Sequence, residues 1–346
     1  MTCLFSLVIL LFTLCPAWAI SSSERHAALS CSRKHIELLP ELVLTENIAP
    51  QGQIIFLHIP KTAGTNLDAI ASAMSQKTGK FHYQRLAVPR VPGRSPILIT
   101  ATWLGGLQQL VNKPNLLENI ENNFFLSGHF PYGLHRHFSS PSKYVALFRH
   151  PLERELSSAN FDYQRKYIEA EQLEFYLMDE MIDNPQVRLI AGTEYMTGVC
   201  SAETLAKAKE NIERDFLLVA PHEDVNSFIQ ILASIQGWGI IAYAPLQITR
   251  EKAVEELNPA LTEALMKKHA WDLEFYQWVK ERWYQWKEQI IHSSKVISPD
   301  EHILTLMPDF PLTHQAVYLT PSEIDAYNQR QNGELLEISQ QHRGLP

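Results

Sequence analysis

The chain has 346 residues, of which 45% are hydrophobic, 20% charged and 10% aromatic. That length and composition exclude a stapled miniprotein and a disordered tail, and provide for one large or two medium domains with a sizeable core. Thirty Lys and Arg against 38 Asp and Glu leave a net charge of −8, so no global positive field draws in nucleic acid, and any anionic ligand must be held by a local site.

In chain order, Leu4 to Leu14 is an apolar run followed by Cys15-Pro16 and Ala17-Trp18-Ala19. This is the order of a signal-peptide h-region and an A-x-A cleavage site before Ile20, although Met1-Thr2-Cys3 supplies no Lys or Arg. An uncleaved anchor from Cys3 to Ile20 is at the short limit for crossing a bilayer and contains Pro16. Residues 1–19 are therefore read as a signal peptide or short anchor into the secretory route; a misassigned start codon would leave the protein cytoplasmic. Beyond them only Cys31 and Cys200 remain, without CxxC or zinc-site spacing, so one disulfide and two separate thiols both fit.

Residues 20–52 form a polar-rich lead-in, and Gln53 to Ile59 is a short apolar run that predicts a buried strand. After Pro60, Lys61 to Thr65 predict a small-residue loop, and Asn66 to Met74 carry Leu67, Ile70, Ala71 and Met74 at helical spacing. Phe81 to Thr102, with three prolines, predicts an irregular surface excursion before a helix over Trp103 to Val111. Further strands are expected at Asn123 to Gly128, Lys143 to Phe148 and Phe216 to Ala220. Helices are expected at Glu153 to Tyr167, Ala202 to Ile212, Val225 to Ile235 and Leu257 to Ile291. Strands alternating with helices predict an α/β fold, a P-loop-like parallel β-sheet flanked by helices, over residues 53–295. Val296 to Pro346, rich in proline and then glutamine, reads as a peripheral extension.

Chemistry concentrates in two places. A glycine-containing loop opening onto a helix, as at Lys61-Thr62-Ala63-Gly64-Thr65-Asn66, presents backbone N–H groups and the positive end of the helix dipole to an anion. Lys61 adds a charge, and Thr62 and Thr65 add hydroxyl donors. The order is not that of a Walker A loop, because Lys precedes Gly. The second place is Phe148-Arg149-His150-Pro151-Leu-Glu-Arg154-Glu-Leu-Ser157. Here Arg149 falls at the carboxyl edge of the sheet and Ser157 within the following helix, an arginine fork and a neutral donor for one phosphate.

These two segments resemble the 5′-phosphosulfate loop and the 3′-phosphate motif of sulfotransferases that use 3′-phosphoadenosine 5′-phosphosulfate (PAPS), most of all the Golgi carbohydrate branch of heparan sulfate 2-O-, 6-O- and uronyl-type enzymes. Ser127-Gly128-His129, Asn184-Pro-Gln-Val-Arg188, Phe216-Leu-Leu-Val and Asp272-Leu-Glu-Phe-Tyr276 follow in the same order. The resemblance implies a sulfotransferase fold and transfer of a sulfuryl group from PAPS to a hydroxyl, on a carbohydrate. It assigns Lys61, Thr62, Ala63, Gly64, Thr65 and Asn66 to the phosphosulfate, Arg149 and Ser157 to the 3′-phosphate, and His129 to the catalytic base, with Lys61 offsetting charge on the leaving group. No metal is required. His150 stands where that family usually has Asp, and Asn66 where it often has Ser or Thr.

His135 and His137 offer another base, and with His129 a weak metal-like cluster lacking a carboxylate. Arg85, Arg90 and Arg94 suit either a grip on an acidic glycan or a solvated loop. Arg188 suits either a ligand contact or a structural ion pair. Trp271, Phe275, Trp278 and Trp286 recur at helical spacing, a core or interface face before a sugar platform. The rivals to transfer are a nucleotide- or glycan-binding protein without turnover and a kinase, which would need Mg²⁺ and a Walker-B-type carboxylate.

Overall fold

A computed structural model describes residues 35–45, 53–86, 124–138, 140–245, 257–309 and 313–331. Two short strands, β1 (Glu37–Leu39) and β2 (Leu42–Leu44), lead into β3 (Gln53–Leu57), helix α1 (Gly64–Thr78) and β4 (His82–Leu86). Then come β5 (Phe124–Gly128), β6 (Ser142–Phe148), α2 (Pro151–Gln164), α3 (Pro185–Ala191), α4 (Ala202–Asp215) and β7 (Phe216–Pro221). The strands β4-β5-β3-β6-β7 form one sheet in that order, every neighbouring pair parallel. The α/β reading therefore holds, with β3 at the centre.

All five residues of β3 are buried, as a strand covered on both faces requires. Its alternate side chains go to opposite layers. Ile54 and Phe56 pack with Leu67, Ile70 and Met74 of α1, and Ile55 and Leu57 pack with Val187, Leu189 and Phe275 on the other face. The prediction for α1 was short at both ends, since the helix already begins at Gly64. The excursion expected from Phe81 begins as a strand: His82–Leu86 pairs with β5 residue for residue. Its sequence, HYQRL, lacks an apolar run because β4 lies at the sheet edge with His82 and Arg85 exposed. Residues 87–123, with the expected helix at Trp103 to Val111, lie outside the described residues.

The chain continues through α5 (Val225–Gln236), β8 (Ile241–Tyr243), α6 (Pro259–Lys268), α7 (Ala270–Ile290), β9 (Ile291–Ser294), β10 (Ile303–Asp309) and β11 (Thr313–Leu319). The stretch after residue 295, read as an extension, contributes the β10–β11 hairpin to a second sheet, β1-β8-β10-β11. Leu304 and Leu306 join the core that contains Phe56 and Trp238. The aromatic stripe of α7 also serves the core: Phe275 is buried and stacks on Trp278 at 5.9 Å.

The long helix expected from Leu257 to Ile291 is broken at His269, whose backbone (φ −109°, ψ 28°) leaves the helix. The break is stitched to α3. Asn184 donates from Nδ2 to Lys268 O and accepts from the Asp272 N–H at Oδ1, both at 3.0 Å. In return, the Asp272 carboxylate accepts the first free N–H groups of α3, those of Gln186 at 3.1 Å and Val187 at 2.7 Å. His269 Nδ1 accepts the Asn184 N–H at 3.2 Å.

Burial dominates both titrating groups at this junction. It pulls His269 down to about 4 and pushes Asp272 up to about 7. The folded protein therefore binds fewer protons than the unfolded chain at His269 as pH falls below 6.5, and stability from that residue is lost on acidification. At Asp272 the folded protein binds more protons above 3.8, and stability is lost as pH rises toward 7. The two slopes, each about 1.4 kcal/mol per pH unit, oppose one another between roughly pH 4 and 6.5. His269→Asn should leave a protein that loses stability as pH rises through this window. Asp272→Asn should leave one that gains it. Urea unfolding at the two ends of the window reads the sign directly.

Candidate functional site

The carboxyl ends of β5, β3 and β6 lie side by side, the edge at which open parallel sheets bind ligands. Each is followed by a segment that the motifs single out: His129 after β5, the Lys61 loop after β3 and Arg149 after β6. The structure thus brings together residues 20 to 88 positions apart in the chain.

The loop after β3 has an unusual backbone. Lys61 (φ 71°) and Ala63 (φ 67°) both adopt the left-handed conformation although neither is Gly or Asn, strain of the kind that collects at binding loops. Ala63 is the N-cap of α1, and no side chain caps that helix end. The Thr62 hydroxyl, expected to face a ligand, is buried and donates to Ile59 O at 2.8 Å. Thr62 therefore shapes the loop and has already placed its hydroxyl proton. The Asn66 N–H donates to Ala63 O at 3.1 Å, closing the first turn, and the Asn66 side chain is buried. Gly64 has a steric reason to be glycine, because a Cβ there would stand 2.3 Å from His58 Nε2. His58 is boxed in and cannot give way. Gly64→Ala should therefore cost about 1–3 kcal/mol by overpacking, read as a lowered Tm in thermal unfolding.

Arg149 is fixed by its backbone. Its N–H donates to Gln186 Oε1 at 3.0 Å and its carbonyl accepts from Gln186 Nε2 at 2.8 Å. The guanidinium then reaches across to the loop, donating from Nη1 to Lys61 O at 3.3 Å, with Nε at 3.4 Å from the exposed Glu153 carboxylate. Ser157 follows Glu153 by four residues and precedes Phe161 by four, so one stripe of α2 carries all three. The Lys61 ammonium lies 3.9 Å above the Phe161 ring and the Arg165 guanidinium 4.3 Å from it. Ser157 is thereby placed between the Arg149 end of this stripe and the Lys61 end.

Lys61 has no carboxylate partner among the described residues. Its pKa falls to about 8, first because it is desolvated and then because Arg149, Arg165 and Arg154 surround it. On a chain with net charge −8, this is a local concentration of cations at a helix N-terminus, in which Arg149 and Arg154 meet Glu153 and Glu155 and Lys61 meets no carboxylate among the described residues.

His129 stands on the other side of the loop. Its Nδ1 lies 2.6 Å from the carbonyl oxygen of His58. A carbonyl only accepts, so Nδ1 carries the proton and Nε2 the lone pair. Desolvation, with the neighbouring His58, pulls its pKa down to about 3, and the ring is neutral at physiological pH. The residue that the motifs missed is His58 itself. Its ring is buried, stacks on Phe56 at 5.0 Å, lies 4.4 Å from the His129 ring and meets Asp68 Oδ2 through Nδ1 at 3.2 Å. In sequence it reads as one more residue of an apolar strand. The signal was Asp68, a carboxylate buried in α1 between Leu67 and Ile70.

Other candidates are used elsewhere. His135 bonds the Tyr144 hydroxyl at 3.0 Å, and Tyr144 precedes Arg149 by five residues, roughly 16 Å of strand. Arg188 is buried, bonded to both Asp183 carboxylate oxygens and to the Asp183, Tyr195 and Gly198 carbonyls, a structural role. His150, where the resemblance expects Asp, gives α2 no side-chain cap and packs edge-on against Tyr276 at 5.7 Å. Arg85 lies 3.5 Å from Asp68, whereas Arg90, Arg94, Cys31 and residues 1–19 lie outside the described residues. Cys200 is a buried free thiol. Among the described residues there is no group of three or more metal-ligating side chains and no helix long and apolar enough to cross a membrane.

Fold and site together define an α/β protein with a cluster of cationic side chains and a neutral imidazole at the carboxyl edge of a parallel sheet. No family model and no curated protein matches the chain. Among solved structures, a sulfotransferase from Alicyclobacillus acidocaldarius is similar over 67% of this chain and 96% of its own, at 15% identity and a TM-score of 0.39. A likeness that loose assigns no family.

Proposed function

We propose that the protein is a sulfotransferase that moves a sulfuryl group from PAPS to a hydroxyl, with a carbohydrate as acceptor class on the resemblance of its two motifs. One observation carries the reading: a desolvated Lys61 with no carboxylate partner among the described residues, repelled by three arginines at a helix N-terminus without a side-chain cap, while the strand paired alongside leads into a neutral histidine whose Nε2 carries the lone pair. The first half of that arrangement suits a polyanion and the second suits removal of a proton.

The residues fit such a donor. Lys61 and the amides of Gly64 and Thr65 would hold the 5′ end, and Arg149 with Ser157 the 3′-phosphate. Bound PAPS supplies an activated sulfuryl group. His129 Nε2 takes the proton of the acceptor hydroxyl as its oxygen bonds to sulfur, and Lys61 offsets the charge left on the phosphate oxygen when the sulfur–oxygen bond breaks. No protein residue needs to change its covalent state. Residues 1–19 would direct the enzyme to a compartment into which PAPS must be imported.

Calorimetric titration of the purified protein with 3′-phosphoadenosine 5′-phosphate (PAP), ATP and the analogue lacking the 3′-phosphate tests this reading. Binding selective for PAP supports it, and a folded protein that binds none of the three removes it. Arg149→Ala should weaken PAP about 10- to 100-fold, the loss of a charge-assisted contact, and change binding of the dephosphorylated analogue little.

A further inference from the structure

We propose that His58 and Asp68 are a positioning pair for His129, tying the anion loop and α1 to the end of β5 so that the His129 imidazole is held as a single tautomer with Nε2 bare. The role assigned to His129 rests on the sulfotransferase reading, whereas the positioning itself rests on geometry. His58 is the first residue past the β3–β5 register, which ends at Leu57 opposite Gly128. Its N–H donates to Gly128 O at 3.0 Å and its carbonyl accepts from His129 Nδ1 at 2.6 Å, so the backbone of residue 58 is bonded to the carbonyl just before His129 and to the His129 ring itself. Its side chain then fixes the remaining freedom. The ring is closed in by Phe56, by Gly64, and by His129 at 4.4 Å, and Nδ1 meets Asp68 Oδ2 at 3.2 Å.

A Leu or Phe at position 58 would fill that box without burying a polar ring, which costs free energy unless it is paired. What the imidazole adds is the bond to Asp68, one turn inside α1, the helix whose N-terminus forms the anion loop. Burial pushes the Asp68 carboxyl up, but the His58 ring, the neighbouring Ser127 and Arg85 more than offset it, and the group stays below its ordinary range. Tyr83 also borders this carboxylate. The charged and titratable groups facing His129 are thus His58, Arg85 and Asp68, and the carboxylate is the one acting to hold the two histidines against α1. When that bond is cut, residue 58 keeps its two backbone bonds but loses its side-chain anchor, its peptide can pivot, and the short bond to His129 Nδ1 loosens.

The test is ¹⁵N NMR of the imidazole nitrogens in the full chain, with PAP affinity measured alongside. The unmodified protein should show His129 with a protonated Nδ1 and a bare Nε2 from pH 5 to 8. His58→Phe preserves the aromatic packing and removes the donor to Asp68, and should show both His129 tautomers. His58→Asn, whose amide N–H replaces the Nδ1–H, should restore the single tautomer. Identical His129 spectra in all three proteins would overturn the proposal. If His58→Phe fails to fold, Asp68→Asn decides it: partial loss of the single tautomer supports the pair, and an unchanged spectrum overturns it. Absence of PAP binding in the unmodified protein would remove the sulfotransferase reading and leave the tautomer result to stand or fall separately.

Discussion

His129→Ala is expected to lower sulfuryl transfer about 10²- to 10⁴-fold, the range over which a positioned general base contributes, while PAP binds within about twofold of the unmodified protein. The split follows from where the ring sits. His129 stands at the end of β5, bonded to His58 O and tilted against the His58 ring, whereas the cations lie toward β6 and α2. The depressed pKa, about 3, makes the ring a ready but weak base. Its Nε2 is unprotonated well above that value, so the rate should show no acidic limb from His129 between pH 5 and 8. The measurement is transfer of labelled sulfate from PAPS to glycan and tyrosine-peptide acceptors, followed by kcat and KM on whichever accepts. Unchanged kcat in His129→Ala would assign the base elsewhere.

The parts of this site that were legible in the sequence are those whose signal is local. Gln53 to Ile59, the loop at Lys61 and the helix after it announce themselves within one short stretch of chain, through a continuous apolar run, a glycine and helical spacing. Arg149 and Ser157 were legible because a strand ending at Phe148 and a helix starting at Pro151 put one at the sheet edge and the other on the helix that follows. What escaped depends on contacts that no local pattern encodes. His58 and Asp68 are ten residues apart on two element types, and their bond exists only because α1 packs back over β3. The break at His269 has no Gly or Pro to mark it; Asn184, more than 80 residues earlier, makes it tolerable by bonding Lys268 O and the Asp272 N–H.

The C-terminal hairpin was obscured by proline. Pro308 lies in β10 beyond the two residues, Thr305 and Leu306, that pair with β8, where a missing N–H costs that pairing nothing. The Thr62 hydroxyl illustrates the opposite error. A residue type suited to binding was placed correctly in the loop, but its proton is used to hold the loop's own shape.

The second large effect concerns Lys61, where function and stability should move in opposite directions. Lys61→Met retains a flexible apolar chain against Phe161 and removes a charge that desolvation and three arginines disfavour. At pH 7 the lysine is still protonated, because its pKa is lowered from 10.5 only to about 8. The folded protein therefore carries the full cost of that charge below about pH 8, and the cost fades as pH rises toward 10.5, where the unfolded chain also releases the proton. Lys61→Met should accordingly raise stability by about 1–3 kcal/mol at pH 7 and by progressively less above pH 8. PAP affinity should fall about 10- to 100-fold, since a charge-assisted contact to the anion is lost. Denaturant unfolding at pH 7 and 9.5, with calorimetry at pH 7, reads both. A variant that is both less stable and unimpaired in binding would make Lys61 a structural residue of the loop. A more stable variant that has lost the nucleotide makes the cost of this charge one that the folded loop bears and a bound anion relieves.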